Sequence, residues 1–163
     1  MVDGLELNPI EQGIQNGLAL DVKLDRGAYM PTMAHDSDSG YDLYSIEDVI
    51  FYPGQRSRVR TGVHLGLYQY IREDAKLEAI VRPRSSMTAA GFVTGIGTID
   101  NGYTGSIDVS LYNSTEDVLR IRKGDRIAQF VLHWVPFVKE LRQVTDLRKT
   151  DRGEAGFGST GKA

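Results

Sequence analysis

The fold class is decided by the stretch Ile127-Ala-Gln-Phe-Val-Leu-His-Trp-Val135, part of the longest mostly apolar run in the chain. Apolar side chains occupy both odd and even positions, as is typical of a strand that is covered on both faces. We therefore predict a central strand here, buried within a sheet sandwich or at a subunit contact. Gln129 is polar inside this run, so we expect a hydrogen-bond partner for its amide.

Shorter windows on either side of this strand repeat apolar residues at every second position. Such alternation occurs over 18–24, 59–65 and 107–111, with turn-forming clusters between the windows. A two-residue period indicates half-buried strands, and this spacing is typical of an all-β sandwich or barrel. No long window has the 3.6-residue period of a helix, and only Ser86–Ala90 is expected to form a turn or two of helix.

The chain divides into three parts by composition. Residues 1–17 are irregular and predict an N-terminal extension, whereas 18–144 hold the strand windows of one β domain. Residues 145–163 contain Leu147 and Phe157 as their only large apolar side chains beside several glycines. Such a segment cannot order itself alone, so we expect a flexible C-terminal arm that either stays loose or closes on something.

Charge and composition exclude several functional classes. The 19 Lys and Arg against 22 Asp and Glu give a net charge of −3, which argues against stable nucleic-acid binding through phosphate contacts. The chain has no cysteine, hence no disulfide, thiolate nucleophile or cysteine-bound metal. No apolar run reaches the roughly 18 residues of a membrane helix. The acidic first residues lack the features of a secretion signal, so a cytoplasmic protein is expected.

The arm carries the segment Arg152-Gly-Glu-Ala-Gly-Phe-Gly-Ser-Thr-Gly161. Glycines allow backbone N–H groups to approach an anion, while hydroxyls and a guanidinium are suited to phosphate. Phe157 could lay its ring on a base. The alternative is an unstructured Gly/Ser tail with an incidental aromatic residue.

Two further clusters suggest chemistry. Arg82-Pro-Arg-Ser-Ser86 places two guanidiniums and two hydroxyls directly after an apolar strand, where they could bind an oxyanion, although a solvated arginine pair is the alternative. A hairpin turning at Asn101-Gly102 would place Asp100 at its shoulder as a possible general base, although such residues often only stabilise the turn. The three histidines share no metal-ligand spacing.

Taken in order along the chain, these clusters resemble the five signature segments of the homotrimeric dUTPase family. The five segments are Ala34-His-Asp-Ser-Asp-Ser-Gly-Tyr-Asp-Leu43, Pro83-Arg-Ser-Ser86, Gly97-Thr-Ile-Asp-Asn-Gly-Tyr-Thr-Gly105, Gly124-Asp-Arg-Ile-Ala-Gln129 and Arg152–Gly161. The resemblance implies a jelly-roll-like (β-clip) subunit in a homotrimer, with each active site assembled from three chains and closed by the C-terminal arm. It also implies Mg²⁺-dependent hydrolysis of dUTP to dUMP and pyrophosphate, which limits uracil in DNA and supplies dUMP for dTMP synthesis.

The same resemblance implies a role for individual residues in the β domain. Asp100 would activate the attacking water, Tyr103 would pack on the deoxyribose and exclude a 2′-hydroxyl, and Asp42 would organise the water shell of the metal. The phosphates would be held by Arg84, Ser85, Ser86 and Gln129, and the uracil edge would be read by the backbone of Gly97, Thr98 and Ile99.

In the arm, the resemblance implies that Phe157 covers the uracil with Gly158 beside it. Arg152, Ser159 and Thr160 would bind the terminal phosphate. A triphosphate carries about four negative charges, so a chain of net −3 must supply cations locally through arginines and a metal.

The sequence departs from the family pattern at three places. Ser86 stands where the family usually has Gly, and Thr94 where many members have an Asn that helps to fix the base. The chain is also longer than compact members within 67–78. This insertion and the N-terminal extension resemble those of phage-encoded members of the family. Some of these members bind repressor proteins.

Two alternatives remain beside simple dUTP hydrolysis. A dCTP deaminase is similar in fold, but it would need a Glu and an Arg where Ser110 and Ala89 stand. The other alternative is a phage regulatory trimer that binds a repressor protein in addition to hydrolysing dUTP.

Overall fold

A computed structural model describes residues 17–151 and 153 of the chain. Within them the chain forms β-strands almost throughout, with one 3-10 turn at Leu67–Gln69 and one short helix, α1, at Ser85–Ala89. The strands are β1 (Val22–Leu24), β2 (Tyr41–Tyr44), β3 (Val49–Phe51), β4 (Arg56–Arg60), β5 (Val63–Leu65), β6 (Ala75–Arg82), β7 (Phe92–Thr94), β8 (Gly97–Ile99), β9 (Asp108–Asn113), β10 (Leu119–Ile121) and β11 (Arg126–Pro136). The prediction of an all-β fold is confirmed.

The largest sheet has the strand order β2-β11-β6-β8. β11 pairs antiparallel with β6 from Gln129↔Arg82 to Pro136↔Ala75, and with β2 on its other edge. The apolar run is therefore a central strand, as predicted, paired with β6 from Gln129 to Pro136 and with β2 as far as Phe130. β8 lies at the edge of the sheet and pairs with β6 alone among the described strands.

A second sheet has the order β4-β9-β7, and two strand pairs, β1–β5 and β3–β10, complete the sandwich. One cluster of buried apolar side chains fills the space between these layers. Phe51 and Phe92 meet edge to face in it, with ring centroids 5.2 Å apart. Burial of such aromatic and aliphatic surface is the main force that holds the two layers together.

The window 59–65 forms two strands rather than one. Thr61, fully buried between β4 and β5, donates from Oγ1 to the Ile107 carbonyl at 2.6 Å and accepts from the Val63 N–H at 3.3 Å. The chain then leaves β9 and pairs β5 with β1. The predicted short helix is confirmed as α1, which begins one residue earlier than the predicted range.

The predicted hairpin at Asn101-Gly102 is wrong. The turn exists, because the Tyr103 N–H donates to the Asp100 carbonyl at 2.9 Å. However, β8 before it pairs with β6 and β9 after it pairs with β4 and β7, so the turn crosses from one sheet to the other. β9 thereby pairs with β4 over five residues, more than the three residues that β8 could offer it.

The insertion within 67–78 is an ordered part of the domain. It consists of the 3-10 turn and a tight reversal closed by an isolated bridge between Ile71 and Lys76, which leads directly into β6. Its side chains divide between the core and solvent: Leu67 is fully buried, whereas Tyr68 and Ile71 are about half exposed.

After β11 the described chain has no regular secondary structure and its side chains are exposed, including Leu141 and Leu147. Residues 1–16 and the arm segment beyond Gly153 lie outside the described part, so the division of the chain at 17 and 145 stays a prediction. Among the residues described, no helix is both long and apolar enough to cross a membrane.

Candidate active site

Polar side chains gather around an open cavity of about 470 Å³ at one end of the four-stranded sheet. They come from three neighbouring strands in register: Asp42 of β2, Gln129 of β11 and Arg82 of β6 are directly opposite one another. Side chains of directly opposed residues lie on the same face of a sheet. The lining residues are Ala34, Asp38, Ser39, Gly40, Asp42, Arg82, Arg84, Ser85, Gln129, Val131 and His133.

A buried carboxylate organises the cations of this cavity. Asp42 Oδ1 lies 2.7 Å from Arg84 Nε, and Oδ2 lies 3.1 Å from Arg126 Nη1. Arg84 also donates from Nη1 to the Arg126 carbonyl at 3.3 Å. Because both guanidiniums are held by the same buried group, their positions are fixed before any ligand arrives.

The amide of Gln129 has the hydrogen-bond partner that its polar character predicted. Nε2 donates to the Pro83 carbonyl at 3.0 Å, which joins β11 to the turn after β6. On the other side the amide packs against Gly40: a Cβ placed there would lie 2.1 Å from Gln129 Oε1. Glycine is therefore required at position 40 if Gln129 is to keep this position.

The two serines begin α1 beside the arginines. Ser85 lines the cavity, and the Oγ of Ser86 accepts from Arg84 Nη1 at a long 3.4 Å. The side chain of Ser86 is therefore accommodated next to the guanidinium of Arg84. The structure brings together Asp42, Arg84, Ser85, Ser86 and Gln129 from three of the predicted segments.

Asp100 lies at a second cavity, of about 240 Å³, in the turn between β8 and β9. Its side chain is exposed, so a water molecule can reach the carboxylate. The lining residues are Arg58, Thr98, Ile99, Asp100, Tyr103, Ser106, Ile107 and Asp108.

Tyr103 forms one wall of this second cavity. Its hydroxyl donates to the Ser106 carbonyl at 3.0 Å, and its ring lies so close to Gly105 that a Cβ there would meet the phenol carbon at 2.6 Å. The ring is therefore fixed in direction, with 44% of the residue exposed. A rigid, half-exposed aromatic face is suited to pack against a sugar or a base.

The backbone of β8 forms another wall. Gly97, Thr98 and Ile99 pair with β6 along one edge, and no described strand pairs with the opposite edge. An edge strand presents N–H and C=O groups that can bind a partner with complementary donors and acceptors.

The two cavities share no lining residue. The last register pair of β8 is Ile99 with Ala79, so Asp100 follows beside Glu78, whereas the first cavity begins at Arg82. From Glu78 to Arg82 a strand extends about 13 Å. Within one chain, Asp100 and the arginine cluster therefore line different cavities, at positions about 13 Å apart along β6.

Two arginines at or beside these cavities were missed by the sequence reasoning. Arg126, the second partner of Asp42, lies within the fourth signature segment, so its position offered a signal. Arg58 lines the Asp100 cavity from β4, and nothing in its local sequence distinguishes it from other strand arginines. The predicted arm contacts of Arg152, Phe157, Gly158, Ser159 and Thr160 lie outside the described residues.

Comparison with known proteins gives one consistent answer. The dUTPase family matches residues 26–161. The deoxyuridine 5'-triphosphate nucleotidohydrolase of Mycobacterium marinum is 40% identical over 157 residues, covering 91% of this chain and 97% of that protein. The enzyme of the same name from Clostridium kluyveri is 38% identical over 142 residues, covering 85% and 94%.

Solved structures agree with the sequence relatives. The dUTPase of Staphylococcus bacteriophage 80alpha with dUPNHPP superposes with a TM-score of 0.76 at 31% identity, covering 90% of this chain and 100% of that one. A mutant dUTPase of phage phi11 of S. aureus, solved with a structural Mg(II) ion, has a TM-score of 0.65 at 26% identity, covering 78% and 97%. On these matches, the chain belongs to the dUTPase family.

Proposed function

We propose that this dUTP diphosphatase works at a site shared between the subunits of a homotrimer, where Asp100 activates the attacking water. The separation of the two cavities within one chain is the observation that carries the proposal. A second copy could bring its arginine cavity against the Asp100 cavity of the first. Each site would then hold the nucleoside in one chain and the phosphates in another.

The proposed reaction is an in-line displacement at the α-phosphorus. Water forms the new P–O bond, its proton passes to the Asp100 carboxylate, and the bond to the oxygen that bridges the α- and β-phosphates breaks. The products are dUMP and pyrophosphate. Little covalent help from the protein is needed, so positioning and electrostatic stabilisation supply most of the rate.

The edge of β8 supports recognition of uracil. Uracil presents an N–H donor between two carbonyl acceptors, and the free edge of Gly97–Ile99 offers backbone groups of both kinds. Cytosine presents an acceptor and an amino group where uracil has an N–H and a carbonyl. The same backbone would then place donor against donor and acceptor against acceptor. Tyr103 would pack on the deoxyribose and leave no room for a 2′-hydroxyl.

The first cavity would hold the phosphate chain. Arg84 is fixed by Asp42, Ser85 begins the adjacent helix, and Gln129 keeps one amide hydrogen free after its bond to Pro83. These groups offer charged and neutral donors within a single concave surface. Ser86 would add a second hydroxyl beside that of Ser85 for the phosphate chain.

The donor set fits a magnesium ion that binds together with the substrate. Among the described residues no three His, Asp or Glu side chains gather as a metal cage. Mg²⁺ commonly keeps several waters and binds through one or two carboxylates plus phosphate oxygens. Asp42 uses one lone pair of each oxygen for an arginine, so the remaining lone pairs could accept from metal-bound water. When bound, the ion would neutralise charge on the phosphates.

The arm would complete the site in this proposal. Phe157 would cover the uracil with Gly158 beside it, and Arg152, Ser159 and Thr160 would bind the terminal phosphate. Closure would exclude bulk water from the reacting phosphorus. In the cytoplasm the enzyme would limit uracil in DNA and supply dUMP for dTMP synthesis.

A second role is favoured by the insertion. Phage 80alpha dUTPases are described as controlling the transfer of virulence genes by a G protein-like mechanism. In this chain Tyr68 and Ile71 of the insertion are about half exposed, which offers apolar surface for a protein partner such as a repressor.

The catalytic proposal is tested by assaying the protein with dUTP and with dCTP in the presence of Mg²⁺. Pyrophosphate and dUMP should form from dUTP alone. Asp100→Asn should reduce kcat at least about 10³-fold while leaving the affinity for a non-hydrolysable dUTP analogue nearly unchanged, because only the proton acceptor is lost. Ammonia release from dCTP would favour a deaminase, and an unchanged kcat of Asp100→Asn would remove its proposed role.

A further inference from the structure

The residue after Asp100 is buried although it is polar. Asn101 is only 8% exposed, and its Nδ2 lies 2.7 Å from the Leu67 carbonyl, 3.0 Å from the Leu77 carbonyl and 3.4 Å from the Tyr70 carbonyl. An amide nitrogen carries two hydrogens, so Nδ2 can donate to the Leu67 and Leu77 carbonyls, while the more distant Tyr70 carbonyl also accepts from the Leu77 N–H at 3.0 Å. The three carbonyls all belong to the insertion and the start of β6.

The same hydrogen bonds fix the turn that carries Asp100. On one side, β8 is paired with β6 up to Ile99. On the other side, Asn101 is held by the insertion, and the Tyr103 N–H closes the turn on the Asp100 carbonyl. The backbone of Asp100 is therefore anchored before and after the residue, while its side chain alone projects to solvent.

The insertion is itself braced against the rest of the domain. Gln69 Nε2 lies 2.5 Å from Asp21 Oδ2, the Gly66 N–H donates to the Asp21 carbonyl at 2.9 Å, and the Tyr70 hydroxyl donates to the Ala19 carbonyl. Burial and the nearby Asp21 carboxylate raise the pKa of the Tyr70 hydroxyl, which is a donor at neutral pH in any case. A chain of contacts thus runs from the segment before β1, through the insertion, to Asn101.

We infer that Asn101 is a positioning residue for catalysis. Through its hydrogen bonds, the insertion sets the position and direction of the Asp100 carboxylate. The inference rests on the proposed role of Asp100 as the group that accepts the proton of the attacking water. It gives the insertion a function in the reaction itself, separate from any protein partner on its exposed side. A displacement of about 1 Å at a reacting group can cost on the order of 100-fold in rate.

The test compares Asn101→Ala with a matched control, Asn113→Ala. Asn113 is also buried and also donates through Nδ2 to two carbonyls, of Phe51 at 3.2 Å and Asp117 at 2.7 Å, but it braces the turn between β9 and β10. Both variants lose a comparable network, so both should lose stability. Asn101→Ser is assayed beside them in case Asn101→Ala does not fold. Serine supplies one hydroxyl donor and removes fewer side-chain atoms than alanine does.

We expect Asn101→Ala to lower kcat about 10- to 100-fold, with the Kd of a non-hydrolysable dUTP analogue changed less than about threefold. Asn101→Ser should fall between this variant and the unmodified protein, and Asn113→Ala should keep its kcat. All assays are run well below the unfolding midpoints. A kcat within about twofold for folded Asn101→Ala or Asn101→Ser, or an equal loss in Asn113→Ala, would overturn the inference. If Asp100→Asn itself keeps full turnover, the proposed catalytic role fails first.

Discussion

The guanidinium of Arg84 and the carboxylate of Asp42 form the shortest ion pair of the described chain, with Nε 2.7 Å from Oδ1. Asp42 lies on the edge strand β2, directly opposite Gln129 of β11. The second oxygen of its carboxylate binds Arg126. A negative residue thus stands at the middle of a cavity proposed to bind a more negative ligand. Its physical effect is to order two cations that would otherwise repel each other and move apart.

Asp42→Asn tests this ordering effect. The substitution keeps the shape but removes the charge that holds both guanidiniums, so KM for dUTP should rise about tenfold. Stability should fall by about 1–2 kcal/mol rather than more, because Arg126 is 47% exposed and solvent screens its charge. Steady-state kinetics and urea denaturation measure the two effects.

The matched control is Glu47→Gln, which breaks the exposed pair between Glu47 and Arg60 on β4. That pair is far more solvated, so its loss should change stability by less than about 0.5 kcal/mol and leave KM unchanged. Equal effects of the two substitutions would mean that Asp42 does not order the cavity.

A second prediction concerns the packing of Gly40 on Gln129. In Gly40→Ala the new methyl group would overlap Gln129 Oε1, so the side chain must leave its bond to Pro83. KM for dUTP should rise severalfold, since the amide no longer points at the phosphates. The measurement is kinetics on Gly40→Ala, Gln129→Ala and the double variant.

Because Gly40→Ala is expected to act by displacing Gln129, the effects of the two substitutions should not add. The double variant should resemble Gln129→Ala alone. Fully additive effects on kcat/KM would indicate that Gly40 acts on the cavity by another route.

Much of this architecture could be predicted from local sequence patterns. The apolar run at 127–135 gave the central strand, and the polar Gln129 within it correctly required a partner. The short helix after Arg84 was also predicted to within a residue. These features depend on side-chain periodicity and on hydrogen-bonding needs, both of which can be read along the chain.

Features that depend on strand pairing could not be predicted in this way. The turn at Asn101-Gly102 has hairpin composition, yet its strands enter different sheets, β8 beside β6 and β9 beside β4. The pairing of Asp42 with Arg126 joins residues that are far apart in sequence. The contact of Asn101 with three carbonyls likewise requires the path of the insertion, which local patterns do not specify.

The arm offers a third prediction. Deleting residues 152–163 should reduce kcat/KM for dUTP at least about 100-fold, because the proposed cover of the base and the donors for the terminal phosphate are lost. The midpoint of thermal unfolding should change by less than about 2 °C, since the deleted segment contains only one large apolar side chain, Phe157, that could add to the core. Calorimetry beside kinetics measures both, and a large loss of thermal stability would indicate a structural arm instead.

The fourth prediction addresses the shared site directly. Asp100→Asn and Arg84→Ala should each be inactive as pure proteins, because one lacks the proton acceptor and the other lacks a phosphate ligand. In the proposed homotrimer, co-expression with two different affinity tags, followed by purification on both, would yield trimers that contain both kinds of chain. If Asp100 of one subunit works with Arg84 of the next around a closed threefold ring, every mixed trimer contains one intact site, whichever variant is in the majority.

The purified mixture should therefore recover about one third of the activity of the unmodified trimer. As controls, each single variant is expressed with both tags and purified in the same way. These control preparations should stay inactive. A site built from Asp100 and Arg84 of the same chain would give no recovery at all, because each chain lacks one of the two groups. The separate linings of the two cavities predict recovery, and the absence of recovery in assemblies shown to contain both tags would refute the shared site.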